Sequence, residues 1–142
     1  MKLTTRSLYG TRLLLDIAKY YGKGPIKLGE IARRQDISVK YLELIIRILK
    51  KGKYIESFRG SKGGHVLSKP PDQITVGEII ALLEGSSFLT PCSNSPKFCS
   101  RSDKCLTRNL WIEASRVLFD FLNKITFADL LSGKRIPRII NT

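Results

Sequence analysis

The sequence predicts a mainly α-helical fold that carries one small β-hairpin. Three observations lead to this prediction. Apolar residues recur at helical spacing in several segments of the 142-residue chain, a glycine-rich basic turn separates two short strand-like runs, and all three cysteines fall in one polar stretch. At 42% apolar composition, the chain suits one compact domain or a small domain with an oligomerisation arm.

The first part of the chain predicts three helices. Apolar residues recur at helical spacing for about four turns after Thr4 or Thr5, until two glycines interrupt the pattern. Leu28, Ile31, Ala32 and Ile37 indicate a short second helix with Gln35-Asp36 at the turn. Ser38 is a suitable N-cap for a third helix over residues 39–51. Two short helices joined at a turn that ends in Ile-Ser indicate a helix-turn-helix.

A basic hairpin follows the third helix. Residues 53–58 alternate as a strand does, residues 59–64 form a glycine-rich tip, and residues 65–67 return as the second strand. In this position the hairpin predicts a wing, with an ordinary solvated hairpin as the alternative. Gly60, Gly63 and Gly64 permit positive φ and close approach of the backbone to a phosphate. Arg59 and Lys62 supply positive charge.

The rest of the chain predicts two helices and a last helical turn. Thr75 and Glu78 form a capping box for a short helix that ends at Gly85. Apolar residues then keep a helical period for about five turns from Leu110 to Ile125, too long for a small domain to cover, so one face should bury against a second copy. The predicted organisation is a winged helix-turn-helix domain (1–85), a cysteine-containing sensory loop (86–105), a dimerisation helix and final turn (106–132) and a basic tail (133–142).

The positive charge is concentrated in the first half of the chain. Of the formal net charge of +13, residues 1–70 hold sixteen Lys/Arg and five Asp/Glu, a net +11, whereas residues 71–142 hold nine and seven, a net +2. The cations lie on several short segments rather than on one face of a membrane-surface helix, and no apolar run approaches the ~20 residues of a membrane span. We therefore expect a polyanion as partner, and no membrane.

The three cysteines lie close together in sequence. Cys92, Cys99 and Cys105 have the spacing C-x6-C-x5-C among prolines and serines, so we expect a flexible polar loop. A metal or cluster could gather the sulfurs, whereas the alternative is a set of reduced thiols without a ligand. The odd number argues against a disulfide framework, and Met1 to Gly10 does not resemble a signal peptide, so the cytoplasm is expected.

Seven segments, spread in order along nearly the whole chain, carry a family resemblance. They are Met1-Lys2-Leu3-Thr4, Leu28-x-x-Ile31-Ala32, Ile37-Ser38-x-x-Tyr41-Leu42-Glu43, Arg59-Gly60-x-x-Gly63-Gly64, Ile74-Thr75-Val76-Gly77-Glu78-Ile79, Cys105-Leu106-Thr107-x-x-Leu110-Trp111 and Ile125-Thr126. The chain resembles the bacterial winged helix-turn-helix transcriptional regulators that include the iron-sulfur regulator IscR, the nitric oxide sensor NsrR and the cysteine-metabolism repressor CymR, and IscR in particular.

The resemblance implies a homodimer crossed at the long C-terminal helices, with recognition helices in successive major grooves of a pseudo-palindromic operator in double-stranded DNA. On the third helix, the outward positions that could reach DNA are Ser38, Lys40, Tyr41, Glu43 and Arg47. The Glu43 carboxylate could accept a hydrogen bond from cytosine N4-H, or it could be solvated or form an ion pair within the protein. Arg59 suits a narrow minor groove, and His65 holds a position usually occupied by tyrosine, for phosphate contact or hairpin packing.

The resemblance also implies an iron-sulfur cluster, of the 2Fe-2S type, on the three cysteines and one further ligand. Where the iron-sulfur regulator has a histidine, this chain has Arg108, which has no lone pair to donate. Leu8 stands where nitric-oxide-sensing members have an acidic residue. The fourth ligand stays open between Asp103, a hydroxyl, solvent, a small thiol and a group from the second subunit, and the wide cysteine spacing disfavours zinc.

The predicted function is a DNA-binding transcriptional regulator whose affinity depends on a labile iron-sulfur cluster. The first alternative is a cluster-free regulator of the same fold, controlled by thiol oxidation or a protein partner. The second is a nonspecific nucleic-acid-binding protein, although the aromatic residues are too few for a stacking platform. An enzyme is not expected, because the sequence has no phosphate loop, no paired carboxylates in a glycine-framed site and no histidine beside a nucleophile.

Overall fold

The described part of the chain is mainly α-helical with one two-stranded antiparallel hairpin, as the sequence predicts. A computed structural model describes residues 2–134 and 136, so most of the predicted basic tail lies outside the described residues. The elements are, in order, α1 (Thr5–Lys19), α2 (Leu28–Gln35), α3 (Val39–Lys51), β1 (Ile55–Phe58), β2 (Gly64–Leu67), α4 (Val76–Glu84), α5 (Pro91–Asn94), α6 (Arg108–Leu122) and α7 (Phe127–Leu131). Single 3₁₀ turns lie at Pro71–Gln73, Pro96–Phe98 and Ser102–Lys104.

Side chains that cap the helices set several of their boundaries. Ser38 Oγ accepts a hydrogen bond from the Tyr41 amide, at 3.2 Å between heavy atoms, and so begins α3 as predicted. Thr75 and Glu78 form the predicted capping box of α4, and a second box begins α7 at Thr126. Each cap joins residues three apart in the sequence, which is why the sequence alone locates it.

The long helix is shorter than predicted. α6 covers 15 residues, about four turns rather than five, because it ends at Leu122, although it begins before Leu110, at Arg108. Thr126 has extended backbone, with φ −95° and ψ 163°, because it caps α7, so the helix cannot continue through it. Ile125 is therefore buried in the turn between the two helices rather than on α6.

The cysteine segment (residues 86–105) is folded into short turns rather than into the flexible loop that the sequence predicts. Residues 91–104 of this segment contain α5 and two 3₁₀ turns. Pro91 and Pro96 stand at the start of α5 and of the first 3₁₀ turn. The proline ring presets a helical φ, and the first positions of a helix need no amide donor. The residues that indicate a loop by composition therefore begin helical turns here.

The core is built around α1. This helix contacts α2, α3, α4, α7 and β2, and its most deeply buried apolar residues are Leu13, Leu14 and Ile17. Phe127 of α7 is fully buried in the same core cluster. A main-chain hydrogen bond of 2.7 Å from Val76 N to the Ile125 carbonyl joins the start of α4 to the turn before α7. The final helical turn thus packs into the core of the helix-turn-helix half, although it is far from that half in sequence.

An ion pair between the buried carboxylate of Asp16 and the more exposed Arg34 holds α2 against α1. Asp16 of α1 is 7% exposed, and its carboxylate accepts hydrogen bonds from Arg34 at 2.6 and 3.1 Å and from the Gln35 side chain at 2.9 Å. Burial raises the pKa of Asp16, but the hydrogen bonds from Arg34 and Gln35 and the charge of Arg34 outweigh burial and hold this pKa below its usual range. Asp16 is therefore ionised at neutral pH, and its contribution to stability is lost only as the pH falls through the lowered pKa.

Asp16→Asn tests this pair. We expect the free energy of unfolding to fall by about 2 to 3 kcal/mol, because the variant leaves the partly buried Arg34 cation without its anion. Urea denaturation at neutral pH and fixed protein concentration measures the loss. The control is Glu30→Gln, which removes a more exposed carboxylate 3.9 Å from the same guanidinium and should cost about 0.3 kcal/mol. Equal losses from the two variants would contradict the assignment.

Candidate DNA interface and cysteine segment

The outer face of α3 carries the polar residues that the sequence predicts to reach DNA. The opposite face buries four apolar residues, Leu42, Ile45, Ile46 and Leu49. Of the five predicted contact positions, four are exposed, namely Ser38, Lys40, Glu43 and Arg47. Tyr41 is half-buried, because its ring packs edge-on against Tyr9 of α1 with 5.7 Å between the ring centroids. Tyr41 therefore also holds α3 on α1.

The charges on this face have no ionic partner within the described residues. Lys40, Glu43 and Arg47 form no salt bridge there. Glu43 is thus exposed and is not half of an ion pair among the residues that the structure describes. Because residues three and four apart lie on one side of a helix, the three charges form a single surface. α3 offers two cations that suit phosphates and one carboxylate that suits a base edge.

The glycines of the wing hold its tip close to the body of the protein. β1 pairs with β2 so that Phe58 lies opposite Gly64. A Cβ atom on Gly64 would lie 2.5 Å from the Ile26 carbonyl oxygen, and one on Gly63 would collide with the carbonyl of Phe58. Gly60 has φ 101°, a conformation that favours glycine. Gly63 therefore allows close packing within the wing, and Gly64 allows close packing of the wing on Ile26. The exposed residues of the tip include Arg59, Gly60 and Lys62.

His65 packs within the hairpin. Its Nδ1 lies 2.8 Å from Ser57 Oγ on the facing strand, and its backbone exchanges hydrogen bonds of 2.8 and 3.0 Å with Ile26. Burial, together with the positive charge of Lys50, holds the pKa of His65 below its usual range. His65 is therefore uncharged at neutral pH, which favours its packing role over a charged contact with phosphate.

The three cysteines lie on different turns. Cys92 is in α5, Cys99 follows the first 3₁₀ turn of the segment and is exposed, and Cys105 follows the second. All three are free thiols, and hydrogen bonds from Thr107 lower the pKa of Cys105. Within residues 2–134 and 136, no three histidine, cysteine, aspartate or glutamate side chains come close enough to hold a metal ion. The helical turns between the thiols thus keep apart the sulfurs that the sequence places together.

Two hydrogen bonds tie the cysteine segment to α6. Arg108 Nε donates to the main-chain carbonyl of Cys92 at 2.9 Å. The Leu89 amide donates to Ser115 Oγ at 2.8 Å, and that hydroxyl donates in turn to the Trp111 carbonyl at 2.6 Å. Ser115 is 1% exposed, so water cannot readily replace the two hydrogen bonds that its hydroxyl makes. A change in the conformation of the segment must break these bonds or move α6.

Sequence reasoning does not identify these anchors. It considers Arg108 as a residue that cannot bind metal and as a cation near the thiols, but not as an anchor, and it gives no role to Ser115. Their partners are 16 and 26 residues away in sequence, so no local spacing indicates the contacts. The one available signal is that Ser115 shares a helix side with Trp111 and Leu118, where a buried hydroxyl needs a partner.

Comparisons with known proteins show the family. Residues 3–133 match the Rrf2 family, described as iron-dependent transcriptional regulators. The chain belongs to the Rrf2 family. It is 46% identical over 131 residues to protein rrf2 of Nitratidesulfovibrio vulgaris. The aligned residues cover 92% of this chain and 87% of that protein. It is 39% identical over 141 residues to the HTH-type transcriptional regulator IscR of Sodalis glossinidius, covering 99% of this chain and 85% of that protein.

A solved structure shares this fold. The global cysteine regulator CymR of B. subtilis matches with a TM-score of 0.76 at 32% identity, covering 95% of this chain and 99% of that one. The predicted resemblance and winged-helix fold are thereby confirmed, and this Rrf2 protein is a DNA-binding transcriptional regulator. In the part of the chain that the structure describes, the helices are too short or too polar to cross a membrane.

The cysteine segment of this Rrf2 protein fits an iron-sulfur cluster in its donor chemistry. Three thiols supply three of the four ligands that such a cluster takes. Ser102 Oγ, between the second and third cysteines, is buried and has no hydrogen-bond partner among the described residues, which indicates a vacant polar contact inside the segment. Arg108 cannot complete the ligand set, because it has no lone pair and its Nε is bonded to the Cys92 carbonyl. The residues fit a cluster if the segment closes around it.

The stability of the protein should depend on pH through His65, which is the single histidine. Its folded pKa lies below the unfolded value of about 6.5, so the unfolded chain binds the proton first as the pH falls. The free energy of unfolding should therefore decrease below about pH 6.5 and level off below the folded pKa. Urea denaturation from slightly alkaline to mildly acidic pH measures this decrease. His65→Gln should remove most of it, and an unchanged slope in that variant would assign the effect to another group.

Proposed function

We propose that this Rrf2 regulator binds a pseudo-palindromic operator as a homodimer, with an affinity controlled by a labile iron-sulfur cluster on Cys92, Cys99 and Cys105. The observation that carries the proposal is the attachment of the thiol-bearing segment to α6. Arg108 and Ser115 make that attachment through hydrogen bonds of 2.9 and 2.8 Å. A ligand that closes the segment would therefore act on α6, and through α6 on a dimer built from it.

An uncovered apolar surface supports the homodimer. Trp111 and Val117 of α6 are 40% and 60% exposed, and Leu3 and Leu8 at the start of the chain are 47% and 51% exposed. Leu3 and Leu8 also line one groove with Leu122 of α6, so the two regions adjoin. Contiguous exposed apolar side chains mark an interaction surface. In a two-fold dimer both copies bury the same surface, and the two α3 helices lie about 34 Å apart to enter successive major grooves.

The helix-turn-helix and the wing would supply the DNA contacts of each subunit. Lys40 and Arg47 are exposed on α3, where they suit phosphates, and Glu43 between them suits cytosine N4-H. Arg59 at the wing tip suits a narrow minor groove next to the major groove that α3 enters. The phosphate contacts would supply affinity for every sequence, whereas the Glu43 contact would supply preference.

The cysteine segment would hold the cluster and transmit its loss. When bound, an iron-sulfur cluster supplies a redox-active centre whose properties depend on its ligands, its hydrogen bonds and its exposure. To hold it, the segment must bring together thiols that the present turns keep apart. That movement would strain the two hydrogen bonds to α6 and so favour a different position of this helix. The fourth ligand would be Asp103, the Ser102 hydroxyl, solvent, a small thiol or a group of the partner subunit.

Anaerobic reconstitution tests the cluster. Protein supplied with iron and sulfide under argon should take up both and show visible absorption, because three thiolates are available as ligands. Substitution of any one cysteine should abolish the absorption and leave the helical circular dichroism unchanged, since none of the three is in the apolar core. The variants are Cys92→Ala, Cys99→Ala and Cys105→Ala. Failure of the wild-type protein to take up iron would refute the cluster.

Arg108 offers a sharper test of the incomplete ligand set. Arg108→His places an imidazole where the family resemblance expects a ligand, so the reconstituted cluster should persist in air about tenfold longer than in the wild-type protein. Arg108→Lys is the matched control, because it also replaces the guanidinium but stays protonated and cannot ligate. Equal lifetimes in the two variants would show that the fourth ligand comes from elsewhere.

A second candidate is a regulator of the same fold controlled by thiol oxidation without a cluster. It is favoured by the separation of the three free thiols and by the exposure of Cys99, which oxidants can reach. Mild peroxide should then produce a disulfide or a sulfenate, detected by mass spectrometry, and should change DNA affinity in iron-free protein. Unmodified cysteines under these conditions would count against this candidate.

Lys40→Ala and Glu43→Ala should change DNA binding in different ways. Lys40→Ala removes a phosphate contact, so it should weaken binding to all sequences and reduce the slope of log affinity against log salt by about 1. Glu43→Ala should relax the preference for cytosine at one position by about 1 to 3 kcal/mol. Fluorescence anisotropy with duplexes selected from a random library measures both effects.

Equal losses on every sequence from both variants would contradict this division of roles. Wild-type binding that is equally tight to random and to selected duplexes would instead support a nonspecific nucleic-acid-binding protein.

A further inference from the structure

Phe58 is a large apolar residue without cover on the wing. Its side chain is 52% exposed, and it alternates along β1 with Ile55 and Ser57, which are less exposed and lie on the inner face. Its cross-strand neighbour is Gly64, which has no side chain to pack against the ring. The ring therefore stands on the outer face of the hairpin at the end next to the tip.

The backbone that carries this ring is held in place. Gly63 packs against the carbonyl groups of Phe58 and Arg59, and the main chain of His65 is hydrogen-bonded to Ile26. The Gly63 contacts hold the tip compact, and the His65–Ile26 hydrogen bonds connect the hairpin to the body of the protein. A partner that binds the ring therefore needs to order little of the wing, so less affinity is lost to ordering.

The charges around the ring point to an anionic partner. Arg59 follows Phe58 directly, and both Arg59 and Lys62 are exposed and form no salt bridge within the described residues. Glu56 is the acidic residue on the same strand face, two residues or about 7 Å farther from the tip. The end of this face next to the tip thus combines an apolar ring with cations, and the acidic Glu56 lies farther from the tip.

We propose that Phe58 is a further specificity-determining residue of the DNA interface, where its ring contacts the minor-groove edge of an A·T-rich flank of the operator beside Arg59. The inference rests on the wing placement proposed above. A·T pairs leave the floor of the minor groove free of the guanine amino group, which an apolar ring would desolvate. A narrow A·T groove also attracts the neighbouring arginine, and apolar side chains are a common means of contact in this groove.

The test uses duplexes that the wild-type protein selects from a random library, each made with A·T or G·C pairs in the flanks that the wing reaches. Phe58→Ala should weaken binding to the A·T-flanked duplex by roughly tenfold, because the burial of part of the ring is lost, and to the G·C-flanked duplex by at most about twofold. The salt dependence should stay unchanged, because no charge is removed. Phe58→Leu keeps an apolar side chain and should recover most of the loss.

Two further variants keep the outcome interpretable. Val66→Ala shortens an apolar residue that is paired with Glu56, farther from the tip, and should leave DNA affinity as in the wild-type protein. Arg59→Ala should weaken both duplexes and reduce the salt slope. The thermal midpoint of Phe58→Ala should match that of the wild-type protein, because the ring is not part of the hydrophobic core.

Each contrary result has a distinct meaning. If Arg59→Ala weakens binding but Phe58→Ala binds both duplexes as tightly as the wild-type protein, the wing placement stands and the inference about Phe58 fails. The ring would then face another partner, such as an acidic protein surface. If neither variant changes affinity, the proposed wing placement fails as well. Equal losses from Phe58→Ala on both flanks would also overturn the A·T preference.

Discussion

The buried carboxylate of Asp16 is the constraint on which the DNA-binding half depends. α2 is short and buries only two apolar residues, so hydrophobic contact alone holds it weakly. Arg34 and Gln35 at its C-terminal end bind Asp16 through three hydrogen bonds, and the Arg34 guanidinium lies over the ring of Tyr20 at 5.1 Å. Because α3 follows α2 after a turn of a few residues, the contacts of Asp16 help to set the position of α3 on the body of the protein.

The cysteine segment is held in a different way. Its buried residues are the polar Ser93 and Ser102, and its order comes from short turns and from the hydrogen bonds that Arg108 and Ser115 make with it. Segments with little apolar burial open at a low free energy, whereas a helix-turn-helix packed on a core does not. This division would let the segment change its conformation while the helix-turn-helix half stays folded, which is what the proposed control of DNA binding by the cysteine segment requires.

Local chemistry made much of the fold predictable. The caps at Ser38, Thr75 and Thr126 depend on side chains three residues apart, and the helix-turn-helix and wing follow from apolar periodicity and glycine positions. The sequence also led to the exposed contact positions on α3, because a helix that buries four residues on one face must expose the others. Predictions failed where two local signals conflict. Prolines in the cysteine segment suggest a loop but begin helical turns, and Thr126 ends the apolar pattern of α6 early.

By itself, the sequence determined the secondary-structure elements, the family, the basic surface and the presence of three thiols in one segment, because each of these depends on residues that are close together in sequence. The tertiary structure alone decided which distant polar groups meet. It paired Asp16 with Arg34, hydrogen-bonded the main chain of His65 to Ile26, joined Arg108 to the Cys92 carbonyl and left the Phe58 ring uncovered. Such contacts depend on how the elements pack, and a buried polar group takes whichever partner the packing brings within reach.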